Sequence, residues 1–215
     1  AVEFNPAYHA LMRRSVAAGL HASLWDASEI EAPVRNVARA AALYMTAQAE
    51  CGHICPMTMT SAAVAALRHA PDLAAAWLPK IRSRQYDSSS RPFTDKKGVT
   101  LGMGMTEKQG GSDLSGSTTR AEDARDGTWK ITGHKWFLSA PMSDAFLVLA
   151  NSPGGMSCFF MPRLLPDGSV NAIRIQRLKD KLGNKSNASS EVEFDGATAW
   201  LVGDEGRGVP QILEM

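Results

Sequence analysis

Cysteine is scarce in this chain, with Cys51, Cys55 and Cys158 the only three in 215 residues. An odd number of thiols without a signal-peptide pattern excludes a disulfide scaffold and points to a reducing, cytoplasmic setting. Excess charge is lacking too. Lys plus Arg number 23 against 22 for Asp plus Glu, a net charge of +1, so no strongly polyanionic partner is implied. Divided after Lys97, the two parts carry +3 and −2, and neither has the composition of a DNA-binding arm. Long apolar runs are missing as well. The uncharged stretch Cys51 to Leu67 is interrupted by His53, Pro56 and several hydroxyl residues, which excludes it as a bilayer span. What is present is ordinary globular material, 44% hydrophobic and 21% charged, enough for one large or two small cored domains.

Up to about Leu78 the periodicity is helical. Asn5-Pro6 is a helix start, Tyr8, Leu11, Met12 and Val16 share one face, and Gly19 is a stop. Pro33 opens a second helix whose Val34, Val37, Ala38, Ala41 and Met45 lie on one side; Thr60 to Leu67 and Pro71 to Leu78 predict two shorter ones. Arg82 to Lys97, with Ser88-Ser89-Ser90 and Pro92, reads as a linker. Short apolar or alternating runs follow at Val99–Met105, Thr128–Thr132, Ala145–Ala150, Met156–Met161, Ile173–Leu178 and Glu191–Phe194, separated by turn signals such as Asp126-Gly127 and Pro166-Asp167-Gly168. Strands without intervening helices predict a compact antiparallel β domain rather than a doubly wound sheet. The fold class is therefore α+β, with boundaries at 1–85 (helical), 86–97 (linker), 98–202 (β-barrel) and 203–215 (the start of a further helical domain).

Both ends read as cut. No initiator Met precedes Ala1, and Gly208 to Leu213 has the pattern of an opening helical turn two residues before the end at Met215. The expectation is a piece of a longer protein.

The most informative stretch is Gly104-Met105-Thr106-Glu107-Lys108-Gln109-Gly110-Gly111-Ser112-Asp113-Leu114-Ser115-Gly116. It follows a strand and gathers four glycines, three hydroxyls and two carboxylates into one turn. Such a turn presents free backbone N–H groups to an anion or a polar heterocycle edge, or else is a Gly-rich β-turn capped by Ser112 and Asp113. Dinucleotide and phosphate motifs fail: after Gly102-Met103-Gly104, Glu107 occupies the place of the third glycine, and in Gly183-Asn184-Lys185-Ser186 an Asn separates Gly from Lys. No Gly-x-Ser-x-Gly elbow is present.

The thirteen residues of this turn resemble, at every constrained position, the first signature of the acyl-CoA dehydrogenase family. Gly133-His134-Lys135-Trp136-Phe137-Leu138-Ser139-Ala140 resembles that family's Gly-x-Lys-x-Trp-Ile-Thr-Asn strand, and Lys181 to Ser189 its Lys-Leu-Gly-x-Arg-x-Ser segment. The wording of Met103 to Asp113, Gly133 to Phe137, Leu178 to Asn184 and Cys55-Pro56-Met57-Thr58-Met59-Thr60 is similar to the AidB branch, alkylation-response proteins within the family. The resemblance implies a helical N-terminal domain, a middle β-barrel and a C-terminal four-helix domain, with FAD as cofactor. It places the flavin pyrimidine edge at Met105 and Thr106, the diphosphate at Gly111 and Ser112, and the ring against Phe137, Leu138, Ser139 and Ala140. Leu114 and Pro141 follow as substrate contacts. Phe137, Ser139 and Ala140-Pro141 stand where the family has Trp, Thr and Asn-Gly. The family's catalytic Glu lies beyond residue 215, so no catalytic residue is assigned here. The implied activity is oxidation of an acyl-CoA thioester, or handling of a small alkylating agent, by a homotetramer with DNA contact through a C-terminal region.

Other candidates have plainer readings. Glu107 and Asp113 could act as bases but suit turn-holding better. Cys51, His53 and Cys55 suggest a metal, yet on a helix His53 points away from the two thiols. Arg174, Arg177, Lys179, Lys181 and Lys185 could meet phosphate or form a solvated strand face. His134 reads as structural, and the two Asn-x-Ser triplets at 184 and 187 as coincidental.

Overall fold

The computed structural model describes residues 2–26 and 32–215. Helices come first: α1 (Pro6–Ala17), α2 (Ala32–Ala49), α3 (Ile54–Ala66) and α4 (Pro71–Ile81). A seven-stranded sheet follows, made of β1 (Leu101–Gly104), β2 (Arg120–Asp123), β3 (Trp129–Ser139), β4 (Ala145–Ser152), β5 (Gly155–Pro162), β6 (Ile173–Leu178) and β7 (Ser189–Val202), and then the short α5 (Gly208–Ile212). Asn5 caps α1 by accepting from the Ala7 amide at 2.9 Å, with Pro6 in the first turn, and the chain turns away at Gly19. Met12 and Val16 of α1 are buried against Met57 of α3.

The apolar stripe of α2 behaves differently. Val34, Val37 and Met45 are more than half exposed, and so is Tyr44; the helix is tied in by its arginines, Arg35 donating to Asp26 O at 2.6 Å and Arg39 to Leu20 O at 2.9 Å. Helix α3 is apolar all round because it lies between α1 and the sheet, where the Thr60 hydroxyl accepts from the Leu101 amide at 2.9 Å.

The sheet closes on itself through β3–β7 and β1–β4 pairings. It is mixed, not purely antiparallel: β1 runs parallel to β4 from Leu101↔Ala145 to Gly104↔Val148, and β2 meets it in parallel at Arg120↔Asn151. A parallel pair needs a crossover between its strands, and the excursion through the glycine turn, β2 and β3 supplies it. Strand β4 is covered on both faces and so reads as an unbroken apolar run. Its Phe146, Val148 and Ala150 enter the barrel core with Ile131, Leu138 and Phe159, while Leu147 and Leu149 face the helices and join Leu67, Ile81 and Phe160. Trp77 of α4 is sandwiched there, stacked on Phe93 at 4.0 Å and edge-on to Phe160 at 4.7 Å. The presumptive linker is thereby a strap. Besides Phe93, Lys96 is buried with its ammonium 2.7 Å from Asp144, and Asp87 accepts from the Lys97 amide at 3.1 Å.

Candidate functional site

The glycine turn leaves β1 beside the end of β3. Met103 pairs with Ser139, and the Trp136 amide donates to Thr106 O at 2.8 Å, so the two motif segments form one ledge. Strand β3 is irregular there, its register with β7 slipping between Lys135 and Leu138. A bulge of this kind lets Trp136 and Phe137 both reach outward. Phe137 is 39% exposed, while Leu138 is buried in the barrel core, with only its backbone left to face the ledge. Ser139 is half-buried; Ala140 is fully buried with φ of 53°. A non-glycine residue in the left-handed region persists only where its surroundings hold it; here its amide donates to Ala188 O at 3.0 Å and its carbonyl accepts from the Ser143 amide at 2.9 Å.

Beneath the turn sits Glu107. Its carboxylate accepts from Lys135 Nζ at 2.8 Å, the Thr118 amide at 2.7 Å and hydroxyl at 3.0 Å, the Thr119 amide at 3.2 Å and Gln109 Nε2 at 2.8 Å. Burial alone would push its pKa up, but the Lys135 ammonium and the Thr118 amide outweigh this and hold it well below the carboxylate range. Burial depresses Lys135 in turn. An ionised carboxylate with every lone pair occupied has no capacity for proton abstraction, so Glu107 is the anchor of the turn. Asp113 is exposed and accepts from the Ser115 amide at 2.9 Å.

Met105 and Thr106 are half-exposed on the ledge, and Gly111 and Ser112 lie open beyond them. Among the described residues the amides of Gly111, Ser112 and Asp113 donate to no protein acceptor. Gly111 is packed against Thr106 so closely that a Cβ there would lie 2.8 Å from the threonine Oγ1. An exposed aromatic face, a hydroxyl two strand residues away and a glycine cradle with free amides fit a flat ring carrying a diphosphate tail. Pro141 lines a separate cleft of about 810 Å³ with Tyr8, Tyr86, Met142 and Arg163. Burial raises the pKa of both tyrosines, Tyr86 to about 12. Leu114 is not among that cleft's lining; it packs with Met103 and Met105 on the helix-side core.

Two features escape sequence reading. Lys179 Nζ lies 3.6 Å from the Trp136 ring centroid and 4.4 Å from that of Phe137, with Lys108 and Arg177 each 5.7 Å from Trp136. The second is a chain of contacts between the helices and the barrel: Glu50 accepts from Ser186 Oγ at 2.5 Å and contacts His53 Nδ1 at 2.6 Å, and His53 Nε2 meets Ser15 Oγ at 2.8 Å. His53 is thus committed, Cys51 is exposed and Cys55 half-buried; among the described residues no group of three His, Cys, Asp or Glu could hold a metal ion. Four of the five cations of the basic cluster sit in ion pairs, Arg174 with Asp195, Arg177 and Lys179 with the single Glu191, and Lys185 with Asp180.

Two family descriptions match the chain, the adaptive response protein AidB N-terminal domain over residues 1–88 and the acyl-CoA dehydrogenase middle domain over 102–197. The chain belongs to the acyl-CoA dehydrogenase family. Within it the AidB branch is the match: AidB of Escherichia coli (strain K12) is 52% identical over all 215 residues. Acyl-CoA dehydrogenase family member 11 of Caenorhabditis elegans is 36% identical over 200 residues, 85% of this chain. The chain spans 39% and 31% of the lengths of these relatives. The crystal structure of C. elegans ACDH-11 in complex with C11-CoA superposes with a TM-score of 0.84 at 32% identity, covering 96% of this chain and 36% of that one. Butyryl-CoA dehydrogenase from Megasphaera elsdenii shares the fold, with a TM-score of 0.74 at 18% identity, over 97% of this chain and 53% of that one. No helix among the described residues is long and apolar enough to cross a membrane.

Proposed function

We propose that the full-length protein carrying this chain is an AidB-type flavoprotein that holds FAD non-covalently and serves the response to DNA alkylation, with weak acyl-CoA dehydrogenase chemistry. The observation that carries the reading is the ledge itself, in which the Met103↔Ser139 pairing and the Trp136–Thr106 hydrogen bond put both motif segments on one face. Met105 and Thr106 would meet the pyrimidine edge, Gly111 and Ser112 the diphosphate, and Phe137, the Leu138 and Ala140 backbone and the Ser139 hydroxyl the ring. FAD supplies two-electron redox chemistry at that face. The chain's own part is to orient the ring, donate a hydroxyl and amides, and keep Glu107 ionised beneath the turn. The base that removes a substrate proton would be a carboxylate beyond residue 215.

In this reading residues 1–85 form a helical unit, 86–97 its connection, 98–202 the flavin-binding barrel and 203–215 the entry to a further helical unit. The assembly is a cytoplasmic homotetramer that contacts DNA through its C-terminal region. A second reading, an ordinary acyl-CoA dehydrogenase acting on a short or branched thioester, draws on the acyl-CoA complex of the C. elegans relative. Purified full-length protein should show flavin absorption bands. Anaerobic mixing with a panel of acyl-CoAs and with alkylating agents, and DNA binding across a salt series, then separate the two. Fast bleaching by one acyl-CoA without salt-dependent DNA affinity selects the second reading, and protein without flavin bands or FAD uptake rejects both.

A further inference from the structure

We propose that Lys179 tunes the electron affinity of the flavin held on the ledge by acting through the ring of Phe137, a role that rests on the FAD reading above. Lys179 follows β6 and is fixed at its backbone, where its amide donates to Ser189 O at 2.8 Å. Its ammonium is held at 2.9 Å from Glu191 and stands 3.6 Å from the Trp136 centroid and 4.4 Å from the Phe137 centroid, with the side chain only 10% exposed. Phe137 keeps 39% of its surface open, so one part of the ring carries a cation while the rest is free to stack.

A cation screened from water draws the electron density of an aromatic ring toward itself, and the remaining face becomes a better surface for an electron-rich partner. Two-electron reduction makes a flavin more electron-rich, and a fixed positive charge nearby favours that form. The ionisable groups around the two rings are Lys108, Arg177, Lys179 and Glu191, with His134 accepting the Lys108 amide at 3.1 Å. Glu191 is shared by Arg177 and Lys179, and among the described residues Lys108 has no ion-pair partner, so the ledge is net positive. Lys179 would touch no reacting atom and acts as a positioning and tuning residue. A merely structural lysine, pinning β6 to β7 through Glu191, would change stability and leave the reduction potential where it was.

The test is the reduction potential of the FAD-loaded full-length protein, measured by dye equilibration. Lys179→Met should lower the ratio of reduced to oxidised flavin at a fixed potential about tenfold, which is about 30 mV for a two-electron couple. Lys179→Arg should stay within about twofold of the wild type, since its guanidinium keeps the charge on the rings. Glu191→Gln, which removes the competing anion, should shift the ratio the other way, and it carries the test alone if the methionine variant does not fold. Unchanged ratios in Lys179→Met or Glu191→Gln, or equal losses in the methionine and arginine variants, overturn the proposal. Wild-type protein that takes up no flavin overturns the cofactor reading instead, before any variant is made.

Discussion

Lys135 and Glu107 form an ion pair at 2.8 Å in which neither side chain reaches solvent. The pair joins β3 to the turn that leaves β1, and it closes over a carboxylate also held by Thr118 and Thr119. Removing one partner of a buried pair leaves an uncompensated charge, which costs about 3–5 kcal/mol. Lys135→Met should therefore lower unfolding stability by about that amount in urea titrations. The double variant Lys135→Met, Glu107→Leu should recover part of the loss, since an apolar pair of similar volume replaces the charges. A double variant no more stable than the single one would mean that Glu107 is needed chiefly by the Thr118 and Thr119 amides.

The second prediction concerns pH. Burial would raise the pKa of Glu50, but hydrogen bonds from Ser186, His53 and Gly52 bring it down to about 2. A carboxylate depressed in the folded state adds stability that is fully present above its ordinary pKa and disappears as pH falls through the folded value. The window is thus about pH 5 down to pH 2. With the side chain 25% exposed, solvent screening leaves about 1–2 kcal/mol of the effect. Glu50→Gln should flatten the acid limb of the stability profile across that window, measured by thermal melts at stepped pH. An unchanged acid limb would show that the contact between the helices and the Ser186 loop adds nothing.

Much of this was legible along the chain, and the exceptions share a cause. Local chemistry announced α1 through Asn5-Pro6 and Gly19, and β4 through its unbroken apolar run. The glycine turn is visible because its constrained positions fall within thirteen contiguous residues. Strand β2 is not legible in the sequence because Arg120–Asp123 is four residues long and polar, held by pairing with β3 and by one parallel contact with β4. Strand β3 reads as two pieces in the sequence because Gly133 interrupts it with φ of 145°, where a Cβ would press within 2.6 Å of the Thr119 backbone. Periodicity puts the apolar residues of α2 on one face but says nothing about what covers it. Contacts between residues distant in sequence are invisible there: Glu50 to Ser186 spans 136 positions, and the Lys179 ammonium reaches Trp136 across β7.

Trp77 gives a third prediction. It lies 4% exposed between Phe93 of the strap and Phe160 of β5, so it couples α4, the strap and the barrel in one aromatic stack. Trp77→Ala should cost about 3–5 kcal/mol, the range for deleting a buried large aromatic side chain. The strap should also become cleavable at Arg82, Arg84 or Lys97 faster than in the wild type, which a tryptic time course would read. Unaltered cleavage kinetics would mean that the Lys96–Asp144 pair, at 2.7 Å, holds the strap by itself.

The thiols supply a fourth. Cys51 is exposed, Cys55 half-buried with its pKa raised by burial, and Cys158 fully buried with its pKa pushed up to about 12. Reactivity follows thiolate character and access. Iodoacetamide at pH 8 should modify Cys51 first and Cys55 more slowly, and should reach Cys158 only on unfolding, as peptide mass mapping would show. Early labelling of Cys158 would require the β5 face under α5 to open in the native state.

The last prediction tests the cradle directly. A Cβ at Gly111 would lie 2.8 Å from Thr106 Oγ1 and 2.9 Å from its Cγ2, whereas one at neighbouring Gly110 would meet nothing nearer than Asp113 O at 3.7 Å. Gly111→Ala must therefore move the Thr106 side chain, which the cofactor reading places at the pyrimidine edge, and Gly110→Ala need move nothing. Because Gly111 is exposed, the stability cost of its substitution should stay below about 1 kcal/mol. FAD titration of the full-length protein should then show a Kd about tenfold weaker for Gly111→Ala, about 1.4 kcal/mol, and near wild type for Gly110→Ala. A displaced Thr106 loses contact with ligand, not with protein, so affinity and stability should part company at this one position. Equal Kd values for the two variants would remove Gly111 and Thr106 from the flavin site and leave the exposed face of Phe137 to carry it.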